Sequence, residues 1–320
     1  DKYKLKKISE IKKEDCVPTQ NKNGETIWTK VKNIYNNGQK ECLKIITKSG
    51  REVICTSEHQ FVTIASPVRG NTYRKIRIKK ACELRKSDYF ILNEKFDIDL
   101  PQGNENDYSN GFIVGFFLAE GNYIKNQTNK KIYGIQLSCG IKDIENKYIE
   151  YFKNYNFKVY QYGNNVVIHS RDVKLLKLIQ YYTDGDVCNE KHLTNNVFNC
   201  SIKFIKGIID GFLAGDGSYD IQNNRYRVSI APNEMLKDEI MLLCRILGYQ
   251  FRFGSVRDNG YKGVMTFTIR KVPKQRRYLD CIHDQIDKIE FIGIKNVYDI
   301  EIEPIYTSYC GKNKTDKPSI

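Results

Sequence analysis

Two stretches of the chain are apolar on nearly every side and then end on a carboxylate. Residues 111–123, GFIVGFFLAEGNY, and residues 207–219, GIIDGFLAGDGSY, align at a constant offset of 96. Gly111, Gly115 and Ala119 of the first fall on Gly207, Gly211 and Gly215 of the second, Glu120 falls on Asp216, Gly121 on Gly217, and Tyr123 on Tyr219. Small residues four apart form one stripe down the side of a helix. The flanks are bulky: Ile113, Phe116 and Phe117 in one copy, Ile208, Ile209, Phe212 and Leu213 in the other. An interior glycine destabilises a helix by ~1 kcal/mol relative to alanine, so the repeated glycines need a compensating contact. The pattern predicts two helices packed stripe to stripe, almost backbone to backbone. Gly121 and Gly217 are expected to end them in the left-handed conformation.

Downstream of each helix the period changes. Residues 131–139 and 225–231 alternate polar and apolar and read as strands. Residues 141–154 and 233–247 return to helical spacing. Further strands are expected at FKVYQYG with NVVIHS, and at QFRFG with VMTFTIR. Each copy therefore runs helix, hairpin, helix, hairpin. The strand faces carry Lys, Arg, Gln, Asn and Tyr, and two polar, basic β-ribbons fit a DNA major groove.

If the two stripes meet, Glu120 and Asp216 stand side by side at helix C-termini. Two close carboxylates repel, and the negative helix ends add to the repulsion, so the pair calls for a cation. Oxygen donors alone select Mg²⁺ over zinc, with Mn²⁺ able to substitute. The segment beginning at Asp216 does not complete an EF-hand, because Ile221 stands where the loop needs glycine and Arg227 where it needs glutamate.

Composition narrows the partner. The chain has 320 residues, 40% of them hydrophobic, enough for two or three domains. Its 52 Lys and Arg against 38 Asp and Glu leave a formal charge of +14, and with 22 Tyr this points to a polyanion, first of all nucleic acid. The ten cysteines include no CxxC pair and sit among apolar neighbours, which reads as reduced thiols without a zinc site or disulfide frame. No apolar run reaches membrane-spanning length and the N-terminus has no signal-peptide pattern, so an intracellular, soluble protein with no membrane partner is expected. Asp1 is not a natural start and reads as the mark of a trimmed or processed chain.

The paired motifs FFLAEG and FLAGDG resemble the two signatures of the LAGLIDADG homing endonucleases, over roughly residues 105–290. The flanks resemble something else. Residues 1–95, with TSEH at 56–59, and residues 291–310, with NVYDIEI at 296–302, are similar to the two pieces of a Hint domain, the all-β splicing module of inteins. The implied fold is α+β: a pseudo-symmetric, duplicated αββαββα LAGLIDADG endonuclease inserted in an all-β Hint-like domain. Expected boundaries are 1–98 for the first Hint piece, 99–198 and 199–290 for the two repeats, and 291–320 for the second piece and tail.

The resemblance implies a site-specific, Mg²⁺-dependent endonuclease that cuts double-stranded DNA at a long site as a monomer. It makes Glu120 and Asp216 the metal-binding catalytic pair and Lys191, in NEKHLT, the accompanying basic residue that offsets transition-state charge, with Lys288 or Lys295 as the symmetric lysine. Expected DNA contacts are Arg69, Arg74, Lys75, Arg77 and Lys79 in the Hint-like part, and Gln127, Lys131, Tyr133, Gln136, Arg225, Arg227 and Arg252 in the repeats. Thr56, His59 and Asp299 match intein splicing positions. Splicing also needs a leading Cys or Ser and a terminal His-Asn pair; the chain opens on Asp1 and its last residues hold no such pair. These three residues are therefore read as vestigial, in an intein descendant that keeps the endonuclease or in a chain trimmed upstream. Two alternatives remain: a protein-splicing element, and a DNA- or RNA-binding protein that does not cut.

Overall fold

Long alternating strands organise the flanking residues. The computed structural model describes residues 2–20, 26–64, 76–92, 98–140, 148–163, 165–257, 263–271 and 282–303. The chain divides into two compact units, Leu5–Ile98 with Lys274–Ile320, and Asp1–Lys4 with Asp99–Pro273. In the first, strands β1 (Cys16–Gln20), β2 (Thr26–Thr47), β3 (Glu52–Thr56), β4 (Gln60–Ile64), β5 (Ile76–Lys80) and β6 (Tyr89–Leu92) are joined by β17 (Ile282–Ile302) from the far end of the chain. They form one seven-stranded sheet in the order β1-β2-β17-β6-β4-β5, with β3 paired to β2. The antiparallel β2–β17 pairing runs from Ile286 opposite Thr47 to Ile302 opposite Val31. Ile45, Cys55, Ala81, Leu84, Phe90 and Ile286 bury together as its core.

The unit boundaries correct one expectation. The return to the β unit comes at Lys274, not at 291, because β17 begins at Ile282 and pairs with β6 from its first residue. The first junction lies between Ile98 and Asp99.

The second unit opens on a reciprocal cap. The Asn104 side chain accepts from the Asp107 N–H at 3.0 Å, and the Asp107 carboxylate accepts from the Asn104 N–H at 3.1 Å. Helix α1 (Glu105–Glu120) follows, then β7 (Gly121–Lys125), β8 (Ile132–Gly140), a 3₁₀ turn at Tyr148–Phe152, β9 (Lys158–Tyr162), β10 (Asn165–Ser170) and α2 (Val173–Tyr182). A two-residue pair, β11 (Thr183–Asp184) with β12 (His192–Leu193), links to α3 (Ile202–Asp216). Beyond it come β13 (Gly217–Asp220), β14 (Arg225–Ile230), α4 (Glu234–Ile246), β15 (Gln250–Arg257) and β16 (Val264–Arg270). The two four-stranded sheets have the same order, β7-β8-β10-β9 and β13-β14-β16-β15, which is the predicted duplication.

Helices α1 and α3 are the axis of this unit. Phe112, Ile113, Val114, Phe116, Phe117, Phe204, Ile205, Ile208, Ile209, Phe212 and Leu213 are all buried. A Cβ placed on Gly111 or Gly115 would sit under 3.0 Å from the carbonyl of Phe204 or Ile208, and one on Gly207 or Gly211 under 3.0 Å from that of Tyr108 or Phe112. The stripes do meet backbone to backbone. At the N-terminal ends, the Ser201 hydroxyl donates to Asp107 at 3.0 Å while accepting from the Phe204 N–H at 3.2 Å.

One local expectation fails. Gly121 (φ −90°, ψ 149°) and Gly217 (φ −95°, ψ 133°) are extended, not left-handed. Each chain leaves its helix directly into a strand, β7 or β13, which sequence reading did not separate from the turn. Glycine is needed there for space: a Cβ on Gly121 would meet Phe117, and one on Gly217 the Leu213 carbonyl, both under 3.0 Å. The helix expected at 141–154 is described only from Tyr148, where it is a 3₁₀ turn; residues 141–147 lie outside the described residues.

Candidate active site

The stripe delivers two carboxylates to one place. Gly215 is the last glycine of α3, and a Cβ on it would come within 3.0 Å of Ala119 Cβ and of Glu120 Cγ. Glu120 ends α1 and Asp216, next to Gly215, ends α3. Burial pushes the Asp216 carboxyl up to about 7, the Glu120 charge adds to the push, and Lys191 opposes it. A carboxylate pair that resists full ionisation at neutral pH is short of positive charge. Both donors are hard oxygens, the class that holds Mg²⁺ through one or two carboxylates with the remaining positions left to phosphate and water. Among the described residues no group of three or more His, Cys, Asp or Glu is arranged to hold a metal ion. The pair fits a cation of that type.

Lys191 stands beside this pair. It is 2% exposed, and its ammonium donates to the carbonyls of Phe117 at 3.0 Å and Gly121 at 2.9 Å. Those carbonyls close α1, where the helix dipole is negative. Burial lowers the Lys191 ammonium to about 8, while Asp216, Cys188 and Glu120 support its charge. The other two lysine candidates lie on β17 of the other unit: Lys288 pairs with Glu290, and Lys295 stands opposite Lys40.

Strand register sorts the predicted contact residues. Residues directly opposite one another in an antiparallel pair share a face. Across the first sheet, Asn122, Gln136, His169 and Lys158 form one row, and across the second, Ser218, Arg227, Thr268 and Arg252 form the matching row. Both rows begin two residues after the acidic helix end. Arg225 and Arg227 both donate to Asp220 Oδ2, at 3.2 Å and 2.7 Å. Hydrogen bonds from Arg227, Asn223 and Arg225 hold the Asp220 carboxyl far below the usual range. Gln127 and Lys131 lie in the exposed β7–β8 turn, and Tyr133 is exposed on β8 with the Arg171 guanidinium 5.0 Å from its ring centroid.

In the β unit, Arg77 is exposed on β5, whereas Lys79 is bound to both oxygens of buried Asp88 at 2.9 Å. Arg69, Arg74 and Lys75 lie outside the described residues. Thr56 ends β3, and its carbonyl accepts from the His59 N–H at 3.2 Å in the turn to β4. His59 packs edge-on against Phe61, and Asp299 on β17 stands opposite Tyr35 on β2.

Sequence reasoning missed Asn122, Lys158, His169, Ser218, Thr268 and Asp220. Lys158, His169 and Thr268 lay inside predicted strands, and their alignment into rows needed the register.

Known proteins bear on these two units. A family model described as an intein splicing domain matches residues 1–312. DNA-directed RNA polymerase subunit Rpo1C of Methanocaldococcus jannaschii is 26% identical over 232 residues, 63% of this chain and 26% of the relative. A DNA polymerase of the same organism is 25% identical over 196 residues, 60% of this chain and 11% of the relative. The chain thus spans about a quarter or less of the length of these relatives. The crystal structure of I-DmoI in complex with DNA and Mn covers 51% of this chain and 90% of its own, at 10% identity and a TM-score of 0.38. The N-terminal LAGLIDADG domain of DUF199/WhiA covers 54% and 80%, at 10% identity and a TM-score of 0.34. With its seven-stranded β unit and a family match running through nearly the whole sequence, the chain belongs to the intein splicing domain family.

Proposed function

We propose that this intein-family chain is a site-specific DNA endonuclease that hydrolyses one phosphodiester bond in each strand of a long duplex site. The observation that carries the reading is the glycine-lined contact of α1 and α3, which leaves Glu120 and Asp216 as neighbouring carboxylates at the helix ends. Glu120 and Asp216 hold a divalent cation, Mg²⁺ or Mn²⁺. When bound, such a cation activates water and stabilises the departing oxygen of a phosphodiester. Lys191 neutralises the carbonyl end of α1 and adds positive charge where the phosphate gathers negative charge. The rows led by Asn122 and Ser218 meet base edges in the groove, and the net charge of +14 binds phosphates. One chain holds both carboxylates, so a monomer is sufficient.

The test is incubation of the full chain with a library of long duplexes and Mg²⁺ or Mn²⁺, followed by sequencing of new ends. Cleavage at one site by the wild type, lost in Glu120→Gln and Asp216→Asn with DNA binding retained, is expected. Wild-type cutting rates in either variant overturn the assignment. Family membership favours a second reading, in which the β unit takes part in protein splicing. In-frame insertion of the chain and its flanking sequence between two reporter segments tests it, by the appearance of a ligated reporter.

A further inference from the structure

Lys191 reaches the end of α1, yet two side chains that hold the backbone around it belong to the second repeat. The segment before it turns sharply at Gly185, whose φ of +82° suits glycine and where a Cβ would strike the Glu190 carbonyl. The Lys191 N–H then donates to the Val187 carbonyl at 2.9 Å. Two buried side chains of the α4 region close around this turn. Asn233 Nδ2 donates to the Lys191 carbonyl at 2.8 Å and to the Cys188 carbonyl at 3.4 Å. Its Oδ1 accepts from the Leu236 N–H at 3.0 Å and caps α4. Glu239, further along α4, accepts the Leu193 N–H at 2.7 Å. Asn233 and Glu239 are 6% and 4% exposed, so both were taken out of water to make these contacts.

Neither side chain is explained by α4 alone. Serine or aspartate would cap this helix as well as asparagine, but serine cannot also reach two carbonyls of the Lys191 turn. A buried glutamate on an amphipathic helix is a poor choice for packing. Burial pushes the Glu239 carboxyl up to about 8, so at neutral pH it is mostly the uncharged acid, for which glutamine is a close substitute.

We propose that Asn233 and Glu239 are positioning residues for Lys191, clamping residues 188–193 so that its ammonium stays on the Phe117 and Gly121 carbonyls beside the Glu120–Asp216 pair. The consequence for DNA cutting rests on the endonuclease reading above. The clamp ties the second repeat's α4 to the end of the first repeat's α1 through the connecting segment.

The experiment uses the full chain with Asn233→Ser, Glu239→Leu and Glu239→Gln, each alone and combined with Lys191→Met. The first readout does not depend on nuclease activity: acetylation of Lys191 by acetic anhydride, followed by peptide mass spectrometry on protein shown to melt cooperatively. Asn233→Ser and Glu239→Leu are expected to raise the Lys191 labelling rate by about tenfold, and Glu239→Gln to leave it at the wild-type value. The second readout is cleavage. The same two variants are expected to lose ~10- to 100-fold in kcat at unchanged KM. They should lose nothing further in the Lys191→Met background, because a residue acting through another shows no independent effect. Continued protection of Lys191 in both folded variants, or additive losses in the double variants, overturns the proposal. Should Glu239→Leu fail to fold, Asn233→Ser decides, since it keeps the helix cap. If Lys191 labelling follows the clamp but the wild type cuts no DNA, the endonuclease reading falls and the clamp stands.

Discussion

The two repeats share a backbone plan and differ in what they place on it. Each runs from a capped helix through an acidic end into a four-stranded sheet of identical order. In the first, the end of α1 is served by buried Lys191, and its row reads Asn122, Gln136, His169, Lys158. In the second, the row reads Ser218, Arg227, Thr268, Arg252, and Asp220 gathers two arginines. The difference teaches which constraints are shared. Backbone contact along the axis must be satisfied on both sides at once, so the glycine stripes match. The rows on the sheets carry no such shared backbone constraint, and their side chains differ between the repeats.

The largest effect should come from breaking what the repeats share. Gly115→Ala and Gly211→Ala each drive a methyl into a carbonyl of the opposing helix. Each is expected to destabilise the protein by about 3 kcal/mol or more, read from the denaturant midpoint. Gly163→Ala, on a turn with nothing within 4 Å, is strained only by its φ of +62° and should cost about 1 kcal/mol. Equal losses at the three positions would undo the backbone-contact account.

Next in size is chemistry at the two helix ends. Glu120→Gln and Asp216→Asn should each lower cleavage ~1000-fold. Strand-resolved gels sharpen the comparison, since a variant that still nicks one strand separates the two ends, whereas loss on both strands makes them one site.

Protonation gives a smaller, graded effect. Asp216, held up to about 7, carries a proton below that pH, and a bound cation must displace it. Mn²⁺ affinity, by calorimetry, should weaken by up to about tenfold per pH unit below 7 and level off above it. The stability sign is opposite in the cation-free protein. A carboxyl whose folded pKa lies above its unfolded value favours the fold at low pH, and that contribution is lost as pH rises through about 7. Added Mn²⁺ should restore it.

The smallest effect tests divergence. Asp220→Asn removes the charge that gathers Arg225 and Arg227 and has no counterpart in the first repeat's row. It should relax base preference by roughly tenfold at positions in one half-site only, read by cleavage of a randomised library. Relaxation in both half-sites would contradict independent rows.

Much of the axis was legible because its signal is local and repeated. A four-residue period of small side chains states both the helix and its close partner, and the offset of 96 pairs Glu120 with Asp216 without any coordinates. Lys191 was found from its place in the resemblance, but its burial and its bonds to Phe117 and Gly121 were not visible. Asn233, the first residue of the helical run expected at 233–247, turns out to cap it, and its second task, on Lys191, has no local signal at all. Gly121 and Gly217 were misread because a glycine after a helix signals equally a left-handed stop and a place without room for a methyl. Only the neighbouring Phe117 side chain and Leu213 carbonyl distinguish the two.

By itself, then, the amino-acid order determined the paired helices, the acidic ends and the duplicated strand-rich halves, since each rests on a short local pattern that recurs along the chain, while the split β unit was implied by the resemblance of its flanks. Tertiary structure alone decided which side chains share a row across four strands, that β17 starts at Ile282, and that α4 grips the turn carrying Lys191. Those outcomes depend on register and on buried hydrogen bonds between residues tens of positions apart, such as Asn233 and Lys191, and no local pattern records which distant donor will meet which acceptor once water is gone.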